Sequence, residues 1–183
     1  MTSMAEPRRI LLIKPSSLGD IVHAMPVAAA LKQHWPSAHL TWLVKRQWAD
    51  IVQRIEEVDA VWPVDPALAS WVSQAVALRG QRFDLVIDLQ CLLRSALVAR
   101  VTGCAQRIGF ANGREGSPWL YTHRVAVPTP DMHAVDRYRL VVSALGLSVQ
   151  GGPQFRFRRP AQDMTALREL FRRKGIEIGR AHV

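Results

Sequence analysis

The chain has 183 residues, a length that suits one globular domain with a short extension. Apolar residues make up 49% and charged residues 21%, a balance that excludes a disordered chain because there is enough apolar surface to offset the entropy of ordering. The 24 Lys and Arg against 15 Asp and Glu leave a net charge of +9, which favours an anionic partner (nucleic acid, an anionic membrane or an acidic small substrate) without choosing among them.

Arginine carries nearly all of this charge, since the lysines are only Lys14, Lys32, Lys45 and Lys174. A GC-rich genome would produce such a bias, and so would a need for forked donors to phosphate or carboxylate. No apolar run approaches the length of a membrane-spanning helix. The apolar stretch 10–13 after Arg8 and Arg9 is too short for a signal peptide and is ended by Lys14. Cys91 and Cys104 form no CxxC and have no His at a metal spacing. They read as reduced, half-buried thiols, and no metal site is expected.

In chain order, residues 10–13 are a β-branched and Leu run expected of a strand buried on both faces. A loop at 15–19 leads to a helix over 20–33, which Pro26 is expected to kink or delay. A second strand covers 40–44, a short helix 48–54 and a third strand 60–63. A helix over 67–78 stops at Gly80. A fourth strand at 85–88, a helix over 92–101 and a fifth strand at 107–110 follow. Residues 111–132, with two glycines and three prolines, read as an irregular functional loop. An amphipathic helix spans 133–145, then a basic strand-like piece at 155–158 and a basic helix over 163–174. Alternating strands and helices predict an α/β fold, a Rossmann-like open parallel sheet with right-handed crossovers.

Ligands of such sheets sit at the carboxyl ends of the strands. Three segments map there: the loop 14–20, the segment 88–95 and the loop carrying Arg114 and Glu115. The first has one glycine and neither a Walker nor a GxGxxG pattern. Asp20 would lie in the first helical turn, where the dipole and N–H donors stabilise a carboxylate. It is therefore either a helix cap or a candidate general base, and the two roles coexist only if one oxygen stays free.

The run Lys14-Pro15-Ser16-Ser17-Leu18-Gly19-Asp20-Ile21-Val22-His23, followed by Pro26, resembles the opening signature of lipopolysaccharide heptosyltransferases, glycosyltransferase family 9. Residues 84–95 resemble that family's Asp-x-Gln-Gly-x-x-Lys/Arg-Ser segment, Arg114-Glu115 its Arg-Glu loop, and the run from His133 to Arg137 its His-Ala-Val-Glu/Asp-Arg helix start. The departure is Cys91, where the family carries glycine; a left-handed backbone there would strain a cysteine.

The resemblance implies the N-terminal half of a GT-B glycosyltransferase. It implies inverting transfer of heptose from ADP-heptose to the Kdo–lipid A inner core or an extended core of lipopolysaccharide, with no metal and no cofactor beyond the donor substrate. It assigns Asp20 as the base and Ser16, Ser17, Gly19, Gln90, Arg94, Arg114 and Arg137 to the acceptor side. Arg94 and Arg137 could instead pair with Asp88 and Asp136. His23 reads as a core or supporting histidine, and His133 as a helix-start residue.

Residues 1–150 are expected to form the acceptor-binding domain and 151–177 the lead-in to a missing sugar-nucleotide domain. Residues 178–183 match one reading frame of a common sequencing adapter and are expected to be a non-native tail, so this chain alone is expected to be inactive. The implied setting is cytoplasmic, with room for peripheral contact with the inner membrane, including through the basic helix. The rival readings are a stand-alone binding module for an anionic glycolipid, another glycosyltransferase of the same fold with a different donor, and a nucleic-acid-binding domain. The last lacks helix-turn-helix, zinc and RNP signatures, so no nucleic acid is expected.

Overall fold

The computed structural model describes residues 6–129, 131–148, 152–158 and 161–175. Strand β1 (Arg9–Ile13) lies at the centre of the sheet, parallel to β2 (His39–Lys45) on one side and to β4 (Leu85–Asp88) on the other. Strand β3 (Ala60–Val64) pairs with β2, β5 (Arg107–Phe110) with β4, and β6 (His123–Val125) with β5, all parallel. The order is β3-β2-β1-β4-β5-β6, an open Rossmann-like sheet whose direction of winding reverses between β1 and β4.

The β1 run reads as it does because it is enclosed on both faces. Ile10 and Leu12 point into one core with Trp42, Ile87 and Phe110, while Leu11 and Ile13 point into the other with Leu43 and Val86. Helix α1 (Leu18–His34) and helix α5 (Ala134–Ala144) pack together over the first face. Helices α3 (Leu68–Arg79) and α4 (Leu93–Val101) pack together over the second. Removing a large core side chain from such a layer typically costs about 2–5 kcal/mol.

Several boundaries differ from the sequence expectation. Helix α1 begins at Leu18 and continues through the buried Pro26 to His34. Ser17 starts it a full two turns ahead of the proline, and burial of this face against the sheet holds the interior together despite the missing donor. Strand β6 lies inside the stretch read as irregular; it has three residues, two of them exposed, so no apolar run announces it. Both cysteines are buried rather than half-buried.

A short 3-10 turn (Arg46–Trp48) precedes α2 (Ala49–Gln53). The piece at 155–158 folds back onto that region. Ile55 and Phe157 form an isolated antiparallel bridge, and the Arg158 guanidinium donates to the carbonyls of Gln53, Glu56 and Val58. Helix α6 spans Ala161–Lys174.

Candidate active site

The winding reversal opens a crevice between the ends of β1 and β4, and the residues that follow both strands line it. A cavity of about 360 Å³ is bounded by Lys14, Asp20, Gln90, Arg114, Arg137 and Tyr138, among others. Lys14 directly follows β1. Its carbonyl accepts from the buried Trp42 indole at 3.2 Å, and its amide donates to Leu43 of β2. The side chain is buried and lines the cavity. The ammonium lies 3.4 Å from Asp20 Oδ2 and donates to Gln90 Oε1 at 3.2 Å.

Asp20 sits in the first turn of α1. Its Oδ2 accepts from the Ser17 amide at 3.1 Å and the Ser17 hydroxyl at 3.2 Å, besides facing Lys14. This is the reciprocal cap of the helix. Among the described residues Oδ1 has one partner, the Tyr138 hydroxyl at a long 3.4 Å. One oxygen thus caps and the other faces the cavity, so capping and proton acceptance are geometrically compatible.

Partial burial works to raise the Asp20 carboxyl, but the Ser17 amide and the Lys14 ammonium outweigh it and hold it below the usual carboxylate range. Burial lowers the Lys14 ammonium against the pull of Asp20 and Asp88. Burial and the neighbouring Asp20 push the Tyr138 phenol up, so it remains a donor.

The second wall is the turn after β4. Asp88 is fully buried and collects the Gln90 amide at 2.9 Å, the Cys91 amide at 3.1 Å and the Tyr121 hydroxyl at 2.8 Å. Burial raises its carboxyl. Cys91 adopts φ 52°, the left-handed backbone that favours glycine, so the departure at this position carries strain. The thiol accepts from the Phe110 amide at 3.2 Å, and burial pushes it up to about 12.

The Cys91 carbonyl accepts from the Arg114 amide and the Ser117 hydroxyl, tying this turn to the loop after β5. Gly109 is required here, because a Cβ would lie 2.4 Å from the Tyr121 ring. Glu115 closes the arrangement by accepting from the Leu93 amide at the start of α4, at 3.1 Å.

The expected site residues divide between two adjoining hollows. Asp20, Gln90, Arg114 and Arg137 line the cavity just described. Ser16 and Arg94 line a neighbouring one of about 280 Å³, which meets the first at Gln90. Ser17 serves Asp20. Gly19 is exposed in the first turn of α1, with open space where a Cβ would project.

Arg94 does not pair with Asp88: it donates to the Pro66 carbonyl at 3.2 Å and lies over the Trp71 ring. Arg137 does not pair with Asp136, which instead faces Arg139 at 3.9 Å. Arg137 donates to Asn112 Oδ1 at 3.1 Å and stacks 4.8 Å from the Phe110 ring. Its Nε is buried and has no hydrogen-bond partner among the described residues. His133 caps α5 through the Val135 amide, and its ring lies 5.3 Å from that of His23.

Sequence reasoning placed Lys14 and Asp88 at the ends of their strands without giving either a role, and it gave none to Asn112, Tyr121 or Tyr138. A lysine ending an apolar strand was an available signal, because that position opens onto the ligand crevice. Nothing in the local pattern marked the tyrosines. Among the described residues no cluster of side chains suits a metal ion.

The family model for glycosyltransferase family 9 (heptosyltransferase) matches residues 71–176. Lipopolysaccharide heptosyltransferase 1 of Escherichia coli K12 is 31% identical over 154 residues, which cover 76% of this chain and 48% of that protein. The enzyme of the same name from Pseudomonas aeruginosa is 31% identical over 146 residues, covering 72% of this chain and 41% of that protein. The chain therefore spans about half the length of the curated relatives it matches.

Among solved structures, E. coli heptosyltransferase WaaC with ADP-2-deoxy-2-fluoro heptose superposes with a TM-score of 0.69 at 28% identity, over 80% of this chain and 51% of that one. A family 9 glycosyl transferase from Veillonella parvula shares the fold, with a TM-score of 0.80 at 18% identity over 93% of this chain and 50% of that one. On the family match and the relatives together, this chain belongs to glycosyltransferase family 9, the heptosyltransferases.

Proposed function

We propose that this chain forms the acceptor side of an inverting heptosyltransferase that moves heptose from ADP-heptose to the Kdo–lipid A inner core of lipopolysaccharide. In this reading the chain does not turn over donor by itself. The observation that carries the reading is the Asp20 carboxylate, ionised and pinned through Oδ2 while Oδ1 faces a cavity lined by Lys14, Arg114 and Arg137.

Asp20 Oδ1 would take the proton of an acceptor hydroxyl as that oxygen attacks the anomeric carbon. The bond from that carbon to the ADP phosphate would break on the opposite face, and ADP would leave with the bonding electrons. The Ser17 amide and the Lys14 ammonium keep Asp20 ionised until the hydroxyl grows acidic in the transition state. The Arg137 guanidinium, which lines the cavity, suits a carboxylate or phosphate of the acceptor, since a guanidinium binds both through charge-assisted hydrogen bonds.

Two measurements test this. Calorimetric titration of the chain with deacylated Kdo-containing core should show binding that Arg137→Ala weakens by about ten- to a hundredfold, the loss expected for a charged hydrogen bond. In the enzyme complete with its donor-binding half, Asp20→Asn should lower transfer roughly a hundred- to ten-thousandfold, as expected for loss of a general base. The fold should survive, because asparagine still accepts from the Ser17 amide. Transfer near the unmodified rate in Asp20→Asn removes Asp20 from the base role, and transfer by this chain alone overturns the division of labour.

A further inference from the structure

We propose that the open face of helices α3 and α4 is a docking surface for an anionic lipid bilayer. The two helices lie side by side on the sheet face opposite α1 and α5, and between them runs a groove of about 520 Å³. Its walls are aliphatic: Val72 and Val76 on α3, and Leu93, Leu97 and Val101 on α4. Val72 is 59% and Val76 62% exposed, although both sit among residues that would be buried easily in a core. Five aliphatic side chains exposed side by side, rimmed by polar residues, are the kind of surface that meets a partner or a membrane.

Charge chooses between those. Helical spacing places Val72, Val76 and Arg79 in one row and Leu93, Leu97 and Arg100 in the next. Neither helix contains an Asp or a Glu, and between them they carry Arg79, Arg94 and Arg100. The one carboxylate at the groove, Glu115, is occupied by the Leu93 amide. Aliphatic side chains flanked by three arginines, against a single carboxylate that is turned to the Leu93 amide, fit the acyl–headgroup boundary of an anionic leaflet.

Position supports the same assignment. The groove adjoins the hollow that holds Ser16 through Trp71, Arg94 and Glu115, and that hollow meets the Asp20 cavity at Gln90. A lipid-anchored acceptor seated at this face would therefore present its sugar towards Asp20. In that respect the inference rests on the function proposed above. The surface itself is defined by the helices, and the basic end of α6 plays no part in it.

The test is co-sedimentation of the chain with vesicles that contain no acceptor. Binding to mixed phosphatidylethanolamine–phosphatidylglycerol vesicles is expected, with far weaker binding to phosphatidylcholine. Val76→Glu combined with Leu97→Glu should abolish it. Because those positions face solvent, the circular dichroism spectrum should not change. Arg79→Gln and Arg100→Gln should each weaken it by about fivefold, the contribution of one basic residue near an anionic surface. Arg172→Gln with Arg173→Gln should leave it unchanged.

Absence of binding by the unmodified chain overturns the proposal, as does equal binding to phosphatidylcholine or full binding by the Val76/Leu97 variant. Concentration-dependent self-association that the same variant abolishes, without vesicle binding, would assign the groove to a second copy instead. Titration of the Val76/Leu97 variant with deacylated core separates the two readings. Retained acceptor binding with lost vesicle binding supports the surface, and failure of the unmodified chain to bind core while it still binds vesicles strikes only at the proposed acceptor.

Discussion

Replacing Tyr121 by phenylalanine removes one oxygen and tests whether the wall of the Asp20 cavity is held as described. The ring rests against Gly109, where a Cβ would sit 2.4 Å from it, and phenylalanine leaves that contact intact. What is lost is the 2.8 Å hydrogen bond to Oδ2 of the fully buried Asp88. A hydrogen bond to a charged group contributes about 2 kcal/mol to stability. For a chain of this size that corresponds to a melting temperature lower by about 4–8 °C.

The pH dependence gives a sharper reading. Burial raises the Asp88 carboxyl above the value it has when unfolded. Between the two values the folded chain holds a proton that the unfolded chain has released, so stability falls as pH rises through that window. Withdrawing a donor from the ionised form raises Asp88 further and extends the window upward. Urea denaturation should therefore show a smaller difference between Tyr121→Phe and the unmodified chain at a pH where Asp88 is protonated than at one where it is ionised. The slope with urea should not change. An equal difference at both pH values, or none at either, would show that the hydroxyl does not anchor an ionised Asp88.

Lys14→Met should let the Asp20 carboxyl rise towards the ordinary carboxylate range, followed by carbon-detected NMR titration of the Asp20 side chain; an unmoved midpoint refutes the coupling. The sign carries into stability. Asp20 is depressed in the folded chain, so it stabilises above its unfolded value and that contribution is lost as pH falls through the folded one, which lies higher in the variant. The buried Cys91 thiol, pushed up to about 12, should resist aromatic disulfide reagents at about pH 8 until urea unfolds the chain, whereas rapid labelling of the folded chain would contradict its burial and its bond to the Phe110 amide.

Much of the framework follows from local chemistry. The apolar run of β1 has no face to spare for solvent, so it had to be a central strand, and its abrupt end at Lys14 marks where the chain emerges into the ligand crevice. Alternation of such strands with helices leads to a parallel sheet. The strand-end rule then points to three of the loops that build the cavity, together with Asp20, Gln90 and Arg114, whereas Arg137 came only from the family resemblance. Even the strain at Cys91 was visible as an exchange for glycine.

Other features depended on which strands lie side by side. Asp20 and Tyr138 meet across 118 positions of sequence, through a helix that packs on α1 only once the sheet is assembled. Arg94 and Arg137 look alike in sequence, yet the sheet order sends one to the α3–α4 side and the other to the Asp20 cavity. Strand β6 escapes any apolar pattern because, at the edge of the sheet, its pairing with β5 rather than its own burial holds it in place. Hydrophobic periodicity reports how each segment faces its nearest layer. The order of strands is set by the packing of all layers together, and that order decided which side chains share a cavity.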